Sequence, residues 1–213
     1  MDILGFRKAI LHMAETLQRQ KKYLTELDSP IGDADHGINM ERGFSTVAAR
    51  ISETEYPDLG TLAKDVALGL IQSVGGASGP LYGTLFMRMS VKLKEKSEMD
   101  LALFSEAFDT GLQGLRDLGK AEIGEKTMVD ALTPASQALH KALAEGKDLS
   151  QGLEEAAAAA RKGMEATIPL VAKKGRASYL GERSAGHQDP GATSSYFLLQ
   201  AFRNAAKNPG EKE

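Results

Sequence analysis

Apolar residues recur through this chain at the spacing of one helical face. Phe6, Ile10, Met13, Leu17 and Leu24 stand three, four and seven apart, which lines them up as one stripe along a helix. The pattern returns between turn and cap signals down the chain. A second helix is expected over Ile38 to Ser52. Pro57 marks the start of a third carrying Leu59, Leu62, Val66, Leu70 and Ile71, which stops at Gly75-Gly76. The fourth opens at Ser78-Gly79-Pro80 with Ser78 as N-cap and runs toward Glu98. The fifth starts near Asp100 and carries Leu101, Phe104, Phe108, Leu112 and Leu115. Thr127 to Asp130 reads as a capping-box variant opening the sixth, where Pro134 predicts a bend. The seventh spans Asp148 to about Thr167, and Asp189-Pro190 caps and opens the eighth. No strand pattern emerges.

Composition supports an all-α reading. The chain has 29 Ala and 26 Leu against 6 Val and 8 Ile, with five Tyr, seven Phe and no Trp. Good helix formers outnumber strand formers, and the core is expected to be aliphatic with small faces between helices. At 213 residues one helical domain over 1–208 is expected, with 209–213 as a frayed tail. The 26 basic and 29 acidic residues give a formal charge of -3, so nothing favours nucleic acid. Absence of cysteine excludes thiolate catalysis and Cys-based zinc sites. With no signal-like N-terminus and no bilayer-length apolar run, a cytoplasmic protein without membrane contact is expected.

The strongest chemical signal is the stretch from Asp28 to Gly43. It packs Asp28, Asp33 and Asp35 around Pro30, Gly32 and Gly37, residues that bend the chain sharply. Carboxylates this close repel unless water or cations screen them, and hard oxygen ligands on a bent loop suit Mg²⁺. The other reading is a solvated turn capping the second helix. An EF-hand is excluded because the twelfth position counted from Asp33 is Phe44. Gly119 to Thr127 misses the P-loop spacing, since Glu125 separates Gly124 from Lys126, and no strand precedes it. That stretch, Gly75 to Pro80 and Asp189-Pro190-Gly191 all lead into helix N-termini, which favour anions. Roughly residues 168–188 show no period and hold Lys173, Lys174, Arg176 and Arg183. This segment is a lid over an anion or a plain solvated loop. His36 and His187 neighbour aspartates in loops; His12 and His140 read as structural.

Together, Gly32-Asp33-Ala34-Asp35-His36-Gly37, Gly75 to Pro80, Gly124 to Met128 and Gly175 to Ser184, followed by Gly186 to Ser194, resemble the L subunit of dihydroxyacetone kinase. The likeness runs from the first helix to the last. It implies a barrel of eight antiparallel amphipathic helices with the nucleotide site in the loops at one end. It implies that Asp28, Asp33 and Asp35 hold two Mg²⁺ ions against ADP or ATP. His36, Gly37, Ile38, Asn39, Ala77 and Ser78 would line the phosphates, and Gly119 and Met128 the base. Arg176 would close over the nucleotide with Asp189, Pro190 and Gly191 and stabilise the transferring phosphoryl group. The implied activity is phosphoryl transfer to dihydroxyacetone on a separate K subunit, with resident ADP recharged by a phosphohistidine protein of the sugar phosphotransferase system. Two other readings stay open: exchangeable ATP serving dihydroxyacetone or another short ketose, and a nucleotide-loaded module that binds a transcription regulator.

Overall fold

The structure, a computed structural model, describes residues 1–207; the tail expected at 209–213 lies outside them. Eight α-helices occur among the described residues: α1 Ile3–Asp28, α2 His36–Ser52, α3 Leu59–Ser73, α4 Ser78–Leu93, α5 Leu101–Gly119, α6 Val129–Ala144, α7 Leu149–Ala166 and α8 Pro190–Lys207. Each packs on the next, and α8 returns to pack on α1, so the ring closes. Antiparallel neighbours, joined by short loops except for the long connection between α7 and α8, make an all-α barrel. None of these helices is long and apolar enough to cross a membrane.

The predicted apolar stripes face inward, except that Ile71 of the third is exposed. Phe6, Ile10, Met13, Leu17 and Leu24 of α1 are fully buried. Phe6 packs edge-on to Phe202 of α8 at 5.2 Å, and Phe202 meets Phe104 of α5 at 5.3 Å, so one aromatic from the last helix ties together opposite walls. Small residues set the close approaches. A Cβ on Gly37 would land on the Lys21 carbonyl and on Thr25, so glycine is what lets α2 lie against α1. Gly163 likewise brings α7 up to the Asp130 carbonyl, the one that Pro134 leaves without its helical donor. The helix nevertheless continues unbroken through Pro134.

Several boundaries differ from expectation: α2 starts at His36 rather than Ile38 and α3 at Leu59 rather than Pro57. The fourth helix ends at Leu93, well short of Glu98, because Glu95 takes a left-handed φ of 59°. The residues beyond are used elsewhere: the Lys96 carbonyl accepts from Leu59, Glu98 bridges to Asp2, and Met99 donates to the Met1 carbonyl. Ser78 does not cap α4, whose N-cap is Ala77 with no side-chain bond.

The two ends of the barrel are finished differently. Helices α1, α3, α5 and α7 start at one end, and each is capped by an aspartate: Asp2, Asp58, Asp100 and Asp148 accept from the N3 amides at 2.7–2.9 Å. At the other end the N-cap residues of α2, α4 and α6, Asp35, Ala77 and Met128, cap nothing with their own side chains; Asp28 takes the His36 amide and the Thr127 hydroxyl that of Val129. At α8 Asp189 accepts from Ala192 at 2.6 Å. The positive ends of four helix dipoles gather at this end.

Candidate functional site

A cavity of about 640 Å³ opens at the end where α2, α4, α6 and α8 begin, within the range of small-ligand sites. First-turn residues of α2, α4, α6 and α8 all line it, among them Asn39, Pro80, Val129 and Gly191. On one side stand Asp28, Asp33 and Asp35, with one carboxylate oxygen of each lying within 4.8 Å of the others. The α1–α2 loop explains the gathering. Asp28 ends α1, its Oδ2 accepts the amides of Asp35 at 2.9 Å and His36 at 3.1 Å, and Ala34 takes a left-handed φ of 59° between the other two. A non-glycine residue held there costs on the order of 1 kcal/mol, and the loop spends it turning Asp33 and Asp35 back onto Asp28.

Arg176 reaches this cluster from the lid, its guanidinium 2.9 Å from Asp33 Oδ2. The lid is an ordered 3-10 segment, Arg176–Ser184, kinked at Gly181. Ala177 and Leu180 seat it on Ile31 in a small apolar cluster of its own. Gly175 enters it with a φ of 65°, a turn that glycine makes without strain. Of the four basic residues expected there, Lys174 and Arg176 line the cavity and Lys173 and Arg183 do not.

Beneath the cluster lies a buried polar chain. His36 Nε2 is 3.0 Å from Ser194 Oγ and its Nδ1 is 3.3 Å from Ser78 Oγ. Ser194 and Ser195 each sit 2.8 Å from the Tyr82 hydroxyl, which is fully buried. Burial pushes the His36 pKa down against the pull of Asp28 and Asp35, so the neutral ring is favoured. Burial likewise raises Tyr82 to about 12 and Asp189 to about 7. Buried groups of this kind hold shape when every polar atom is paired.

The opposite wall is apolar, built from Leu81, Leu115, Leu118, Ala121, Met128 and Val129. A flat aromatic group fits such a wall, and its anionic part would face the helix termini and carboxylates. Of the residues expected from sequence, Asp28, Asp33, Asp35, His36, Asn39, Ala77, Ser78, Gly119, Met128, Arg176, Asp189, Pro190 and Gly191 all line the one cavity. Gly37 and Ile38 do not. Gly37 is buried against α1, and Ile38 is exposed on the outer face of α2. Sequence reasoning missed the apolar wall apart from Met128, as well as Tyr82 and the buried Lys126. Lys126 stood in view as a near-miss P-loop lysine, but its Nζ in fact donates to the carbonyls of Thr167, Ile168 and His187.

A closed helical ring that gathers an acidic triad and four helix N-termini at one open end has the geometry to hold a divalent cation beside an anion. A family model described as the DAK2 domain matches residues 30–204. The chain is 44% identical over 188 residues to the PEP-dependent dihydroxyacetone kinase, ADP-binding subunit DhaL, of Escherichia coli, covering 88% of this chain and 90% of that one. It is 42% identical over 188 residues to the PTS-dependent counterpart of Lactococcus lactis, with 88% and 90% covered. The crystal structure of the dihydroxyacetone kinase from C. freundii in complex with AMP-PNP and Mg²⁺ matches at a TM-score of 0.71 and 28% identity. That match covers 93% of this chain but only 33% of the longer enzyme. The chain belongs to the DAK2 domain family.

Proposed function

We propose that this chain is the ADP-binding phosphotransferase subunit of a dihydroxyacetone kinase, carrying a phosphoryl group on its nucleotide to dihydroxyacetone held by a partner subunit. The observation that carries the reading is the convergence of the three carboxylates and Arg176 with four helix N-termini on one cavity. The names of the relatives and the Mg²⁺–AMP-PNP complex of a homologue support it.

The donor set fits magnesium: three hard carboxylates on a bent loop, leaving room for phosphate oxygens and water. Asp28, Asp33 and Asp35 would hold two ions. Such ions neutralise phosphate charge and orient the transferring group. The chain's own work is positioning. Amides at the starts of α2 and α4 bind phosphate oxygens. His36 and Ser78 brace one another beneath them. Arg176 leaves Asp33 for the transferring phosphoryl group, where its fork of donors meets spreading negative charge. The apolar wall holds the base and excludes water.

The expected ketone-binding residue belongs to the partner, and the donor is a phosphohistidine protein that recharges resident ADP. A cytoplasmic location, where phosphoenolpyruvate is at hand, is part of the same reading. A transcription regulator as a further partner is a separate proposal, tested by pull-down with and without ADP. Extensive dialysis followed by nucleotide analysis tests the main reading. Near-stoichiometric ADP retained with magnesium, and lost to a chelator, is expected. Protein that neither retains nor rebinds ADP would overturn it.

A further inference from the structure

Lys126 is 1% exposed, yet it carries an ammonium group among backbone oxygens. Nζ donates to Thr167 O at 2.7 Å, to Ile168 O at 3.4 Å and to His187 O. These carbonyls flank the 168–188 segment, two where it leaves α7 and one where it enters α8. Neighbouring bonds close the same neck: Gly186 donates to Ile168 O at 2.8 Å and Asp189 to Thr167 Oγ1 at 3.0 Å. Backbone on either side of Lys126 is engaged too, since Lys173 donates to Glu125 O at 3.1 Å and Thr127 donates to Asp130 at 2.8 Å. A φ of 62° at Lys126 itself turns its side chain away from the loop and into this neck.

A buried ammonium left with fewer bonds would be costly, so the three carbonyls and the charge are bound to one geometry. The acidic side chains of Asp130 and Asp189 favour its charged form against the burial that lowers its pKa. Midway along the same segment stands Arg176 on Asp33, and between the two a further bond joins the limbs, from the Ala172 amide to Ser184 Oγ at 2.8 Å. We propose that Lys126 is a positioning residue: its ammonium draws the two ends of the 168–188 segment together and thereby presents Arg176 to the phosphate side of the cavity. This rests on the nucleotide reading above. Lys126 borders the cavity, but its Nζ is taken up by three carbonyls, unlike the lysine of a P-loop.

The test is release of a fluorescent ADP analogue with Mg²⁺, followed by stopped flow, in wild type, Lys126→Met, Arg176→Ala and the double variant. Methionine keeps the stem and removes the charge. Release from Lys126→Met should be about tenfold faster or more, the scale of a lost charged hydrogen bond. The double variant should be no faster than the faster single one, because an unclamped lid no longer presents its arginine. Independent, multiplying effects, or unchanged release in Lys126→Met, would overturn the clamp. Wild type that takes up no analogue would instead overturn the nucleotide reading, and the clamp with it. Hydrogen exchange on wild type needs no variant to fold. Without nucleotide the neck amides of Lys173, Gly186 and Asp189 should exchange slowly while the crest around Ser178 exchanges fast; a neck as fast as the crest would overturn the proposal.

Discussion

Asp35→Asn should stabilise the nucleotide-free protein and abolish its response to Mg-ADP. The Asp35 side chain makes no capping bond to α2, so amidation loses no cap. It does remove repulsion with Asp28 and Asp33, whose ligand oxygens lie within 4.8 Å. In a water-like medium each such pair is worth about 1 kcal/mol. Loss of a negative charge at the start of α2 opposes this by about 0.5 kcal/mol. A net gain of about 1 kcal/mol raises the melting temperature of a domain this size by about 2–4 °C. The gain should fade in molar salt, which screens exposed charges. Wild type at a hundredfold excess of Mg-ADP gains about 2.7 kcal/mol, a rise of about 5–10 °C, and the variant gains nothing. The two melting curves therefore exchange order on adding ligand. Differential scanning calorimetry at low and high salt reads both effects. An apo variant that melts lower than wild type, or one that keeps the full Mg-ADP shift, would refute the reasoning.

Other consequences separate the two ends of the barrel. Asp58→Ala removes the N-cap of α3, should cost about 1 kcal/mol in denaturant unfolding, and should leave ADP affinity by calorimetry unchanged. Gly37→Ala drives a methyl onto the Lys21 carbonyl, so about 2 kcal/mol or more of apo stability should be lost; an unaltered melt would mean that Gly37 serves the ligand alone. Arg176 is largely exposed in its pair with Asp33, so Arg176→Ala should leave the apo melting temperature nearly unchanged. Single-turnover phosphoryl transfer should nevertheless fall by about a hundredfold or more.

Most of the fold was legible because each helix carries its own stripe and punctuation. Asp100, Asp148 and Asp189-Pro190 mark three starts within a residue of where they occur. Thr127 and Asp130 form half of the expected box, with Asp130 accepting the Thr127 amide while the Thr127 hydroxyl accepts from Val129. Ser78 looked like a cap by composition, but tertiary structure gives its hydroxyl to His36, forty-two residues away. The end of α4 was misplaced for a similar reason: Lys96 to Met99 pair with Leu59 and the chain start, contacts that no local pattern announces. In the candidate site, residues named from compact motifs fall around one cavity, Gly37 and Ile38 excepted. The wall of Leu81, Leu115 and Leu118 was not among them, because an apolar residue facing a cavity carries the same signature as one facing the core. Tyr82 was hidden similarly, its hydroxyl meeting serines 112 and 113 positions on.

The central claim is that nucleotide stays in this barrel as a carrier. It is tested by counting turnovers with the purified partner subunit and dihydroxyacetone. Protein loaded with ATP should give a single turnover and stop, restart on addition of a phosphohistidine donor, and respond to free ATP only as slowly as nucleotide exchanges. Sustained turnover on free ATP alone would contradict the account and make the chain an ordinary ATP-dependent kinase subunit.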